Sequence, residues 1–171
     1  MSKAIFWTAS YVVSIILVNW LFAPGQLVPG VTVWGTAYGD LYLANFVVGA
    51  VFVLRDYAQR EIGHSILVAT AAAGLITFFM VDQAIALASI SAFVLSELAD
   101  WAVYSFTRRP LYQRILWSSL IAVPLDTLAF QYLAGYLTPA AFMTEVASKA
   151  VGVLIVWALL RARDQRLALA A

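Results

Sequence analysis

The chain contains no cysteine, which excludes disulfides and thiolate metal sites and leaves its redox compartment unmarked. Its one histidine, His64, stands beside Gly63 with no second metal ligand near it, and reads as a residue of the membrane interface. Charge is also scarce. Only 11% of the 171 residues are Asp, Glu, Lys or Arg, where soluble domains carry about a quarter. A net charge of +1 gives no basis for a nucleic-acid or acidic partner. No Ser-His-Asp set, His-Glu-x-x-His motif or phosphate loop occurs, so no catalytic residue, metal or cofactor is expected and the chain does not read as an enzyme. A lysine Schiff base to a chromophore would need Lys149, but Glu145 one helical turn before it argues for an ion pair instead.

What fills the chain is apolar. Hydrophobic residues make up 64%, and the mean hydropathy is +0.90. These values describe an integral membrane protein with little room for a soluble domain, so residues 1–171 are read as a single transmembrane domain. The first apolar run, 4–22, is longer than a signal-peptide core, and Pro24-Gly25 is a poor cleavage site, so it is expected to remain as a span. The expected fold is all-α and polytopic, with six transmembrane helices at about 4–22, 41–62, 65–81, 84–106, 115–137 and 140–160.

Lys and Arg are absent from one set of connections, around 23–39, 82–83 and 138–139. Nine of the ten basic residues, Arg55 and Arg60 among them, fall on the other side; the tenth, Lys149, lies inside a span. The positive-inside rule then places both termini in the cytoplasm. Between the first two spans, Val31-Thr32-Val33-Trp34 follows a Pro-Gly turn. It reads either as a short extended segment or as a plain loop with Trp34 and Tyr38 as interfacial anchors. Span three carries Ala69/Ala73 and Thr70/Gly74, small residues at four-residue spacing that permit close helix packing and are compatible with a homodimer.

The functional signal is the set of ionisable residues inside the spans. Glu97 is eleven residues from Arg108, Asp126 twelve from Arg114 and Lys149 twelve from Arg161. At about 1.5 Å per residue each lies about 16–18 Å from its arginine, near the middle of a hydrocarbon core roughly 30 Å thick. Three helices thus bring ionisable groups to one level, with Asp100 and Glu145 one turn to either side. With Lys149 as the cation in reach, at least one acid is protonated or reserved for a ligand. Pro124, two residues before Asp126, frees the carbonyl of Leu120, as backbone lining a cavity can. Asp126, Thr127, Phe130 and Gln131 occupy two adjacent helical rows, Trp101 follows Asp100, and Asn45 adds an amide from span two. Carboxylates, amides and aromatic faces together suit a flat polar heterocycle better than a metal cation.

Several stretches are similar to one family. Arg55-Asp56-Tyr57-Ala58-Gln59-Arg60-Glu61-Ile62-Gly63 resembles the Asp…Gly segment of the queuosine-precursor transporters, also called vitamin uptake transporters. The likeness continues through Glu97-x-x-Asp100, Asp126-Thr127-Leu128-Ala129-Phe130 and Lys149 after Ala141-Phe142-Met143, over roughly residues 30–160. The resemblance implies a multi-pass importer of the bacterial inner membrane that carries 7-deazaguanines such as preQ0 or preQ1. Asp56, Asp100, Asp126 and Lys149 match the family's recurring polar positions, while glutamine is common there where this chain has Glu97. From the placement of the buried polar residues and the resemblance together, Asn45, Glu97, Asp100, Trp101, Asp126, Thr127, Phe130, Gln131 and Lys149 are the expected substrate-binding residues, with Asp56 and Arg60 at the cytoplasmic mouth. Two other readings stay open. The chain could be a substrate-capture subunit that needs an ATP-driven module, or a structural membrane protein whose buried charges specify packing.

Overall fold

Apolar runs punctuated by proline, glycine and caps give six α-helices: α1 (Lys3–Phe22), α2 (Leu43–Ile62), α3 (Ile66–Met80), α4 (Gln83–Phe106), α5 (Leu111–Ala134) and α6 (Pro139–Leu169). The computed structural model describes residues 2–22, 32–36, 39–80, 83–107 and 109–169. The boundaries have local causes. Gly63, at φ 60°, ends α2, and a turn of 3-10 helix over Gly63–Ser65 leads into α3. Gly135, at φ 79°, closes α5 while the Tyr136 N–H donates to the Gln131 carbonyl at 3.1 Å. Thr138 caps α6 by accepting the Ala141 N–H on its hydroxyl at 3.1 Å.

Several expected limits move. Helix α2 starts at Leu43 rather than 41, because Gly39–Tyr42 form a strand, β2, paired antiparallel with β1 (Thr32–Thr36). The extended segment foreseen after the Pro-Gly turn is therefore one arm of a hairpin. Helix α5 begins at Leu111, just after Pro110, and stops at Ala134 instead of 137. Helix α6 runs to Leu169, past the expected end at 160. The guanidinium of Arg161 there lies over the rings of Trp157 and Tyr112, 5.1 and 5.6 Å from their centroids. Tyr38, Arg108 and the side chain of Trp34 lie outside the described residues.

Side-chain contacts show that the chain reverses from helix to helix. Trp7 near the start of α1 meets Tyr57 near the end of α2, with ring centroids 4.6 Å apart. Tyr11 and Asn19 of α1 bond Thr70 and Thr77 of α3, so those two helices run in parallel. Ser96 meets Asp126 across α4 and α5; Gln131 meets Glu145, and Tyr112 meets Asp164, across α5 and α6. Among the described residues five helical stretches are long and apolar enough to cross a bilayer, as in a multi-pass membrane protein, and one of them, Ala44–Met80, runs through α2 and α3. Large apolar side chains such as Val68, Phe79, Leu120 and Leu154 point outward, as lipid contact requires.

Helices α2 and α6 touch through backbone. A Cβ at Gly49 would strike the Lys149 carbonyl oxygen, and one at Gly152 would strike that of Phe46. This close approach sets Lys149 beside α2. At the end where α1 begins and α2 and α6 finish, Asp164 accepts the hydroxyls of Tyr57 and Tyr112 at 3.2 and 3.1 Å and pairs with Arg163 at 2.7 Å. Arg163 also covers Trp7, so four helix ends are tied together where the basic residues gather.

Candidate functional site

Glu97 organises the interior. Its Oε2 accepts the Tyr11 hydroxyl of α1 at 3.0 Å, the Thr70 hydroxyl of α3 at 3.4 Å and the Arg55 Nε–H of α2 at 3.2 Å. Thr70 therefore does more than permit packing. Arg55 is the larger departure from expectation. Instead of standing among the cytoplasmic cations, it is wholly buried and supplies the counter-charge that Glu97 and Asp100 lack in the sequence. Its Nη1 meets Asp56 at 3.0 Å and Asp100 at 3.2 Å and donates to Gln59, and Nη2 donates to the Glu97 carbonyl at 3.3 Å. The Ser118 hydroxyl donates to Asp56 at 2.9 Å.

Asp56 is thus not a mouth residue: it is fully buried in this cluster. Arg60 does stay at the surface, paired with Glu61 at 2.9 Å and stacked over Tyr57.

A second polar centre forms on Lys149. Its ammonium donates to Asp126 Oδ2 and to the Thr127 hydroxyl, both at 3.0 Å, and lies 3.7 Å from Glu145. Gln131 donates to Glu145 at 2.9 Å, and Ser96 donates to Asp126 Oδ1 at 3.2 Å. Ser96 and Glu97 are neighbours on α4, so the two centres adjoin. The convergence expected of Glu97, Asp126 and Lys149 is present, and Lys149 serves both Asp126 and its i−4 glutamate.

Between the centres lies a cavity of about 550 Å3, lined by Asn45, Glu97, Asp126, Phe130, Glu145 and Lys149 among others. Its volume falls in the usual range for small-molecule sites, roughly 300–1,000 Å3. Phe52 and Phe93 add aromatic walls that the sequence reading missed. Asn45 is 1% exposed, and its Nδ2 has no hydrogen-bond partner among the described residues. A buried amide donor without an acceptor is expensive.

The remaining expected binding residues stand elsewhere. Asp100 is behind Arg55, and Thr127 and Gln131 hold Lys149 and Glu145 from the back. Trp101 points away altogether, donating to His64 at 3.1 Å with an edge contact to Phe106. Pro124 lines an apolar groove with Trp117, Leu120 and Leu154 on the outer side of α5 and α6, not the polar cavity. Among the described residues no three His, Asp or Glu side chains are placed to hold a metal ion together.

The arrangement can bind a flat molecule with an N–H edge against a carboxylate and a ring against phenylalanine. Tyr11, Arg55, Gln59 and Ser118 had no legible signal beyond helical spacing. The one hint was the i,i+4 spacing of Arg55 and Gln59, which puts both on one face of the helix. The chain matches no protein-family model, no curated protein and no solved structure.

Proposed function

We propose that the chain is a six-span importer of a queuosine precursor, a 7-deazaguanine such as preQ0 or preQ1, in a bacterial inner membrane with both termini in the cytoplasm. The observation that carries this reading is the cavity itself: carboxylates, one lysine, Asn45 and phenylalanine rings line a space suited to a small heterocycle. A 7-deazaguanine offers N1–H and an exocyclic amine side by side, which one carboxylate accepts together. Glu97 or Asp126 supplies that carboxylate, Phe93 or Phe130 stacks on the ring, and Lys149 donates to the ring carbonyl.

Uptake tests this directly. In a bacterial strain that neither makes nor imports the precursor and lacks any ATP-driven vitamin module, expression of this chain should restore queuosine in tRNA when preQ0 or preQ1 is supplied. Asp126→Asn should abolish the restoration while the protein still reaches the membrane. Restoration only when an ATP-driven module is also present would instead make the chain a capture subunit.

A further inference from the structure

The Arg55 centre carries a charge problem that the cavity ligand alone cannot solve. Asp56, Glu97 and Asp100 surround one guanidinium, and all four side chains are at most 1% exposed. Lys149 faces two acids, Asp126 and Glu145, a short distance away. Five carboxylates therefore share two cations inside the bundle, where unpaired charge is strongly disfavoured. Arg55 stays protonated in any such setting, so relief comes from protons on the acids.

The groups facing Glu97 come from every helix packed on it. They are the Tyr11 hydroxyl from α1, Arg55 with Asp56 from α2, Thr70 from α3, Asp100 one turn along α4, and Asp126 of α5 through Ser96. Glu97 alone of the three Arg55 acids also lines the cavity. On the far side of Arg55, Gln59 accepts from Nη1 and donates to the Ser105 hydroxyl at 2.8 Å. Ser105 is next to Phe106, the last residue of α4, at the end where the basic residues gather. A polar file thus runs from the cavity, through Glu97 and Arg55 with its two aspartates, to Gln59 and Ser105.

We propose that this file is a proton site: one proton, shared by Glu97, Asp100 and Asp56, exchanges with the cavity through Glu97, while Gln59 and Ser105 hold Arg55 in place from the arginine-bearing end. The inference rests on the importer reading for its ligand and adds the ion that shares the site with it. The proton leaves the cluster by way of Glu97 and the cavity when ligand N–H groups engage the Glu97 carboxylate, and Arg55 keeps its charge throughout. Ligand binding and proton occupancy are then linked.

Infrared spectroscopy of the ligand-free purified protein tests the site without assuming a substrate. At pH 7 the wild type should show the C=O stretch of a protonated carboxylic acid that shifts on transfer to D2O. Glu97→Gln, Asp100→Asn or Asp56→Asn, each shown to be folded, should remove or move it. Absence of the band, or a band untouched by all three substitutions, would overturn the proposal. With preQ0 or preQ1 added in weak buffer, an indicator dye should report release of up to one proton per bound ligand, lost in Glu97→Gln. Binding without proton release would overturn the linkage. If neither compound binds, the importer reading falls and the infrared result alone decides the proton site.

Discussion

With Asp56, Glu97 and Asp100 gathered on its buried guanidinium, Arg55 cannot be neutralised without stranding acids in a medium that solvates them poorly. Arg55→Gln should lower stability by about 3–5 kcal/mol, the usual cost of removing one partner from a buried ion pair. A second substitution, Glu97→Gln, should return part of that loss, because it removes one of the stranded charges. Thermal denaturation in detergent reads both, and a single variant within about 0.5 kcal/mol of wild type would rule out this role. Residue scale is also where the sequence was least legible. Helical rise is regular, so the shared depth of Glu97, Asp126 and Lys149 could be calculated from residue counts. Direction around each helix could not. Successive residues diverge by about 100°, which puts Asp100 inside the bundle and sends Trp101 out to His64. By its place in the chain Arg55 falls with the cytoplasmic cations, and only packing reveals that its side chain turns inward.

At the scale of elements, α2 and α6 are held close by absent side chains. Gly49→Ala should destabilise the protein by about 1–3 kcal/mol or more, because the new Cβ would meet the backbone of Lys149 and Val153, which cannot rotate away. Gly74→Ala makes the control. Its Cβ would meet the Phe93 ring at an ordinary 3.6 Å, and alanine favours helix by up to about 1 kcal/mol, so neutral or slightly raised stability is expected. Melting temperatures of the two variants should therefore move apart. Equal losses would mean that the α2–α6 contact is no tighter than α3–α4. Element type and order were readable because apolar runs, Pro110, Gly63, Gly135 and Thr138 punctuate the chain locally. The hairpin was half legible: the alternation of β1 could be seen, whereas β2 reads as the beginning of a helix until its pairing partner is known.

The whole molecule has a polarity that follows from where its basic residues gather, and the absence of native cysteine makes it directly testable. A single cysteine at Ser2 should resist an impermeant thiol reagent in intact cells and react in inverted vesicles. One at Thr138, between α5 and α6, should behave in the opposite way. Reaction of both from the same side would overturn the alternating topology. The central claim is that the cavity between the Glu97 and Lys149 centres binds a 7-deazaguanine. The most direct test is thermal stabilisation of the purified protein by preQ0, preQ1, guanine and an unrelated vitamin. A ligand that binds only the folded state raises the melting temperature with concentration. We expect selective, saturable stabilisation by a 7-deazaguanine that disappears in folded Asp126→Asn; no response of the folded wild type to preQ0 or preQ1 would contradict it.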